Sequence, residues 1–284
     1  MFTLKIESKL GTVELTHDLT NYAVIGIQGL TPPPTTINTA IAGNIDGSFY
    51  NSARVESRNL VITILLRGDI EGNRQRLYRI FPRKAPVTVY FKNKNRDVKI
   101  AGYVETLEGD LFVQQEQIQI SILCPRPYWQ AIADITYELS EVQAVFEFPF
   151  DIAEDNPIEI STISENAVYV YDNVGDVDTG AVFTFEISGN ITGLTLTNNT
   201  TGAYIGFNYT FAAGDIITLS TVQGGLYARL KHNSDVINLL NYLTSGSTWV
   251  KLIIGENELE YSVTSGSDDD VRCTFVASTL YGGV

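Results

Sequence analysis

From about residue 160 onward the chain repeats one pattern, a short segment rich in β-branched and aromatic residues followed by Gly, Asn or Asp. The segments are AVYVY, AVFTFEIS, LTLTN, AYIGFNYTF, DIITLS, LYARLK, TWVKLII, NELEYSV and VRCTFVAS. Many short strands at spacings of roughly 8 to 12 residues, with turn residues between them, specify an antiparallel β-sandwich. Helix is expected here only as a turn around DVINLLNYL.

The first half is also mainly β. TLKIE, VEL, YAVIGI, NLVITILL, VTVYF, KIAGYVE and QIQISILC read as strands, and in the last of these Ile118, Ile120 and Ile122 alternate with Gln117, Gln119 and Ser121. That alternation gives one buried and one polar face. One helix is expected from Asp69 to Phe81, capped by Asp69, stopped by Pro82 and turning Leu77, Tyr78, Ile80 and Phe81 inward. Residues 30–57, which begin with Pro32, Pro33 and Pro34 and include Phe49, show little periodicity and read as a long extended arm or loop. Loops of this length are uncommon inside compact domains and tend to be functional.

At 284 residues the chain is long for one small domain. The expected division is residues 1–130, an N-terminal β-rich domain with one helix; 131–160, an acidic and aromatic connector; and 161–284, the sandwich. CPRPYW closes the first domain, because its prolines cannot continue a central strand. The net charge of −14 is unevenly spread: residues 1–130 hold 15 Lys and Arg against 12 Asp and Glu, and residues 131–284 hold 4 against 21. The two halves are therefore electrostatically different objects, one near neutral and one self-repelling.

Little in the sequence supports catalysis. His17 and His232 are the only histidines and fall in different domains, so a His-based triad or two-His metal site lacks material. No nucleophile-elbow, zinc-protease, P-loop or dinucleotide motif occurs. No catalytic residue, cofactor site or metal site is therefore assigned. Glu256, Glu258 and Glu260 read as a solvated strand face, and Asp268, Asp269 and Asp270 as a hairpin turn. Cys124 and Cys273 read as two buried free thiols. No apolar run is long enough for a membrane span and the start is unlike a signal peptide, so a soluble protein made in a cytoplasm is expected.

Two features invite a binding role. Arg76, Arg79 and Arg83 fall at i, i+3 and i+7 within a cluster that also holds Arg74 and Lys84. Subunit contact ranks first for this stripe, an ordinary solvated face second and DNA third, since sequence-specific readout suits neither the fold nor the acidic chain. Trp249 could stack on a sugar, although the apolar residues on both sides of TWVKLII favour a core position.

Three stretches resemble the distal tail proteins of siphophages. GDIEGNRQRLYRIFPRKAPVTVYFKN and IAGYVETLEGDLFVQQEQIQISILCPRPYW are similar to the family's N-terminal domain. NVGDVDTGAVFTFEISG, TGAYIGFNYTFAAGD and STWVKLIIGENELEYSV are similar to its galectin-like sandwich. Departures are TVQGGLYARLKHN and Arg126 within CPRPYW, which bear on partner contacts. The resemblance implies a virion protein of the tail tip: a homohexameric ring joining the tail tube protein to the tail-associated hub or lysin protein, with a receptor-binding protein held in some members. The arm, with Pro32, Pro33, Pro34 and Phe49, then reaches a neighbouring subunit. The alternative function is a carbohydrate-binding adhesin contacting the host wall, with Trp249 as the sugar contact.

Overall fold

The computed structural model describes residues 2–15, 20–41, 43, 46–133, 135–139, 142–144, 161–163 and 168–284. The strands in chain order begin with β1 (Thr3–Ser8), β2 (Gly11–Glu14), β3 (Tyr22–Gln28), β4 (Thr35–Ala40), β5 (Phe49–Val55) and β6 (Arg58–Leu66). Helix α1 (Ile70–Ile80) follows, then β7 (Pro86–Lys92), β8 (Asp97–Gly109), β9 (Gln117–Cys124) and β10 (Trp129–Ala131). Next are β11 (Ile135–Glu138), β12 (Val142–Ala144), β13 (Ser161–Ile163), β14 (Tyr169–Asn173), β15 (Ala181–Ile187), β16 (Ile191–Asn198) and β17 (Ala203–Phe211). The series ends with β18 (Ile216–Ser220), β19 (Tyr227–His232), β20 (Asp235–Asn238), β21 (Gly255–Ser265), β22 (Val271–Ala277) and β23 (Leu280–Tyr281).

Two compact units form: Met1–Ile132 with Leu280–Val284, and Ala133–Thr279. This differs from the sequence expectation at both borders. The final residues return to unit 1, and β11, expected in a connector, pairs with β22 of unit 2. FEFPFD and AEDNP of that connector lie outside the described residues, as does His17.

Unit 1 is built on a sheet of order β2-β1-β7-β8-β9-β6-β3, with β10 and β23 attached beside β8. Alternation sets its buried face. In β6, Leu60, Ile62, Ile64 and Leu66 are buried between less buried neighbours, and they pack with Ile118, Ile120 and Ile122 of β9. Helix α1 adds Leu77 and Ile80 to this core, with Phe81 just past its end. Asp69 caps the helix, its carboxylate accepting from the Gly72 N–H at 3.0 Å, and Phe81 ends it ahead of Pro82. Tyr78, expected inward, is 40% exposed, because it lies one position past the buried Leu77 and points to the flank.

Unit 2 is the expected sandwich. A sheet of order β11-β22-β15-β18-β19-β20 faces one of order β14-β21-β16-β17. Rings meet across the interior: Tyr171 on β14 lies edge-on to Phe275 on β22 at 5.5 Å, and Phe185 on β15 to Tyr261 on β21 at 6.2 Å. The helical turn around DVINLLNYL is a 3-10 helix over Leu239–Tyr242. TWVKLII is not a strand. It runs extended with a single bridge, Leu252 to Thr179, so Val250 and Leu252 are buried while Ile254 is 56% exposed.

Candidate functional site

The segment read as an arm is a β-hairpin. β4 and β5 pair antiparallel, with a bulge after Asn38, and among the described residues they pair with no other strand. Cross-strand partners share a face, so register sorts the hairpin into two surfaces. One face holds Thr36 with Arg54 and Asn38 with Ser52. It is tied by hydrogen bonds from Thr36 Oγ1 and Arg54 to the Glu56 carboxylate and from Asn38 to Ser52 Oγ. Those two donors hold the Glu56 carboxyl below its usual range, the Thr36 hydroxyl contributing most. The opposite face holds Thr35 with Val55, Ile37 with Ala53 and Thr39 with Tyr50. Ile37 is 62% exposed and Tyr50 67%. Phe49 pairs with Ala40 on the first face near the hairpin's far end and is also exposed.

Pro32, Pro33 and Pro34 immediately precede β4, at the hairpin's base, with Pro32 and Pro34 exposed and Pro33 half-buried. There the buried Arg58, 1% exposed, donates to the carbonyls of Gly29, Thr31 (2.7 Å), Pro127 (2.6 Å) and Gly282 (2.6 Å). Its guanidinium also lies over the Trp129 ring at 5.7 Å. Burial lowers the Arg58 pKa, and the four carbonyls offset the cost of holding that charge inside. Nothing in the sequence flagged Arg58, since an arginine between strands reads as solvated.

The arginine stripe is shorter than expected. Arg76 and Arg79 are exposed on α1, but Arg83 follows Pro82 in a turn outside the helix, so the three share no helical stripe. Arg74 is turned inward, its guanidinium 2.7 Å from the buried Glu116 carboxylate and 3.2 Å from Glu71. Glu116 also accepts the Phe112 N–H at 2.8 Å.

His232 Nδ1 lies 2.6 Å from Asp215 Oδ1, and the other Asp215 oxygen accepts the Ala212 N–H, so the pair ties β19 to the turn before β18. Glu256 and Glu258 lie exposed on β21, flanking the buried Asn257. Trp249 is half-buried against the unit 2 core rather than displayed. A shallow cleft lined by Thr192, Thr195, Asn208 and Thr244 has Phe207 as its only ring, and Phe207 is 2% exposed. No stacking platform for a sugar is on view there. Cys124 and Cys273 are buried; burial pushes the Cys124 thiol up to about 12 and the Cys273 thiol well above its usual value.

Residues 174–277 match the family model of the siphovirus-type tail component, C-terminal domain. The fold matches the crystal structure of the SPP1 Dit (gp 19.1) protein, described as a hub adsorption apparatus protein of phages infecting Gram-positive hosts. The TM-score is 0.68 at 13% identity, over 99% of each chain. A chain in the baseplate of phage P2, in its activated conformation with calcium, matches at TM-score 0.50 and 10% identity over 100% of each chain. No curated protein matches the chain. The second unit thus resembles the C-terminal domain of the siphovirus-type tail components over residues 174–277, and the chain shares the fold of the SPP1 Dit protein along 99% of its length.

Proposed function

We propose that this protein is a non-catalytic structural hub of a siphophage tail tip. Six copies close into a ring that joins the tail tube protein to the tail-associated hub or lysin protein, with a receptor-binding protein as a further partner. The observation that carries the reading is the amphipathic hairpin β4–β5. Two-stranded hairpins are at best marginally stable alone in water. This one is stitched on one face and leaves Ile37 and Tyr50 uncovered on the other. An exposed apolar face of that kind marks a contact surface. A ring needs a contact in which one copy's surface meets a different surface of the next, and an outreaching hairpin supplies it.

The exposed Arg76, Arg79 and Arg83 serve in this reading as a second assembly surface. The acidic sandwich, galectin-like in the family's terms, faces outward, where its charge discourages nonspecific association. The fold shared with a hub protein supports the same reading. The adhesin alternative is weaker, because Trp249 packs on the core. Multi-angle light scattering tests the proposal: a mass near six times the 31.3 kDa chain is expected. A monomer at every concentration refutes it.

A further inference from the structure

The residues after unit 2 form a strap that closes unit 1 at the base of the arm. Tyr281 pairs with Trp129 and Leu280 with Gln130, so β23 extends the sheet beside β10. Arg58 then donates to the Gly282 carbonyl at 2.6 Å, and Arg96 donates to the Gly283 carbonyl while lying over the Tyr281 ring at 4.2 Å. Val284 N–H donates to the Leu30 carbonyl at 3.1 Å. Gly283 sits so close to the arm base that an added Cβ would come within 3.1 Å of Pro32 and 3.2 Å of the Leu30 carbonyl. Tyr281 and Val284 pack against the core cluster of unit 1.

One guanidinium therefore reads the strap and the arm together. Arg58 takes Gly29 and Thr31 from the chain leading into β4, and Gly282 from the strap; it is itself the first residue of β6, just after β5. Both ends of the hairpin are thus held at one point. Fixing the ends of a marginal two-stranded ladder removes its closure entropy, so whatever seats Arg58 also stabilises β4–β5. Without the strap, Arg58 loses the Gly282 acceptor and the sheet loses β23.

We propose that residues 280–284 act as a seating strap whose docking onto Arg58, Arg96 and Trp129 sets the arm. The strap follows unit 2 in the chain, so the arm is set only after the whole of unit 2 has been synthesised. A chain interrupted within unit 2 carries an unset arm and is kept out of assembly. The link to assembly rests on the ring reading; the coupling of strap to arm does not.

The test uses the full-length chain with Gly283→Val, which crowds Pro32, and separately Tyr281→Ala, which removes the ring under Arg96. Trp129 and Trp249 are the only tryptophans, so a Trp249→Phe background makes Trp129 the reporter of strap seating. Hydrogen–deuterium exchange across residues 30–57 reports the arm. Both strap variants are expected to open Trp129 to acrylamide and to speed arm exchange about tenfold, the factor that one lost charged hydrogen bond carries, while residues 168–279 exchange as in the wild type. Trp129 opened with arm exchange unchanged overturns the coupling. Trp129 still shielded in both variants overturns it too, since the strap would then not close the site. Sedimentation of the same variants reads the assembly step: rings formed despite a loosened arm overturn the gating alone. A monomeric wild type refutes the ring and leaves the coupling to be judged by exchange.

Discussion

Replacing Ile37 and Tyr50 together by Thr should dismantle the assembly without weakening the subunit. Ile37 is 62% exposed and Tyr50 67% exposed, so about two-thirds of each side chain remains to be covered. Full burial of a large apolar side chain is worth about 1.5–3 kcal/mol, which leaves roughly 1–2 kcal/mol for each and roughly 2–4 kcal/mol for the pair at every contact. At 1.4 kcal/mol per tenfold, each contact constant should fall about 30- to 700-fold. Threonine keeps the β-propensity of both positions, and neither side chain supports the monomer's core, so monomer stability should stay within about 0.5 kcal/mol of the wild type. Sedimentation velocity over a concentration series reads the first quantity and thermal melting of the dilute chain the second. An assembly midpoint that does not move refutes the role of the arm's apolar face. A melting temperature that falls together with assembly shows that the pair supports the fold instead.

Other outcomes follow from single features. Asp69→Ala removes the carboxylate that caps α1 and should cost unit 1 about 1 kcal/mol in denaturant titration, with Asp69→Asn recovering most of it. Gly102→Ala places a Cβ 2.6 Å from Ile122 Cγ2 and 2.8 Å from Cys124 Sγ, and should destabilise unit 1 by about 1–3 kcal/mol, measured by the same titration. Cys124 and Tyr171 are both pushed up to about 12 by burial, and Cys273 is raised as well. In the unfolded chain these groups ionise at their ordinary, lower values, so the unfolded state releases its protons first as pH rises. Stability contributed by these groups is present below about pH 9 and should be lost between there and about pH 12, and a native chain at pH 8 should leave a thiol reagent unreacted until denaturant is added.

Much of the architecture could be read from local chemistry. Strand β9 announces itself by isoleucines at alternate positions, and α1 by Asp69 at one end and Pro82 at the other. That same Pro82 undoes the arginine stripe, since counting to Arg83 at helical spacing crosses the residue that ends the helix. The arm's hairpin was hidden because the bulge after Asn38 shifts the apolar alternation partway along the pair. TWVKLII carries strand composition, yet its backbone is held by the Leu252–Thr179 bridge and by side chains such as Asn198, which donates to the Lys251 carbonyl at 2.9 Å. The strap was invisible for a different reason. Leu280–Val284 has no apolar period, and its partners Trp129, Arg58 and Leu30 lie far away in sequence, so only the folded chain brings them together.

The central claim is a closed ring of six copies held by their first units. Negative-stain images of the purified chain test it most directly. Class averages with six-fold symmetry and a central hole are the predicted result, and particles that show only single subunits at every concentration contradict it.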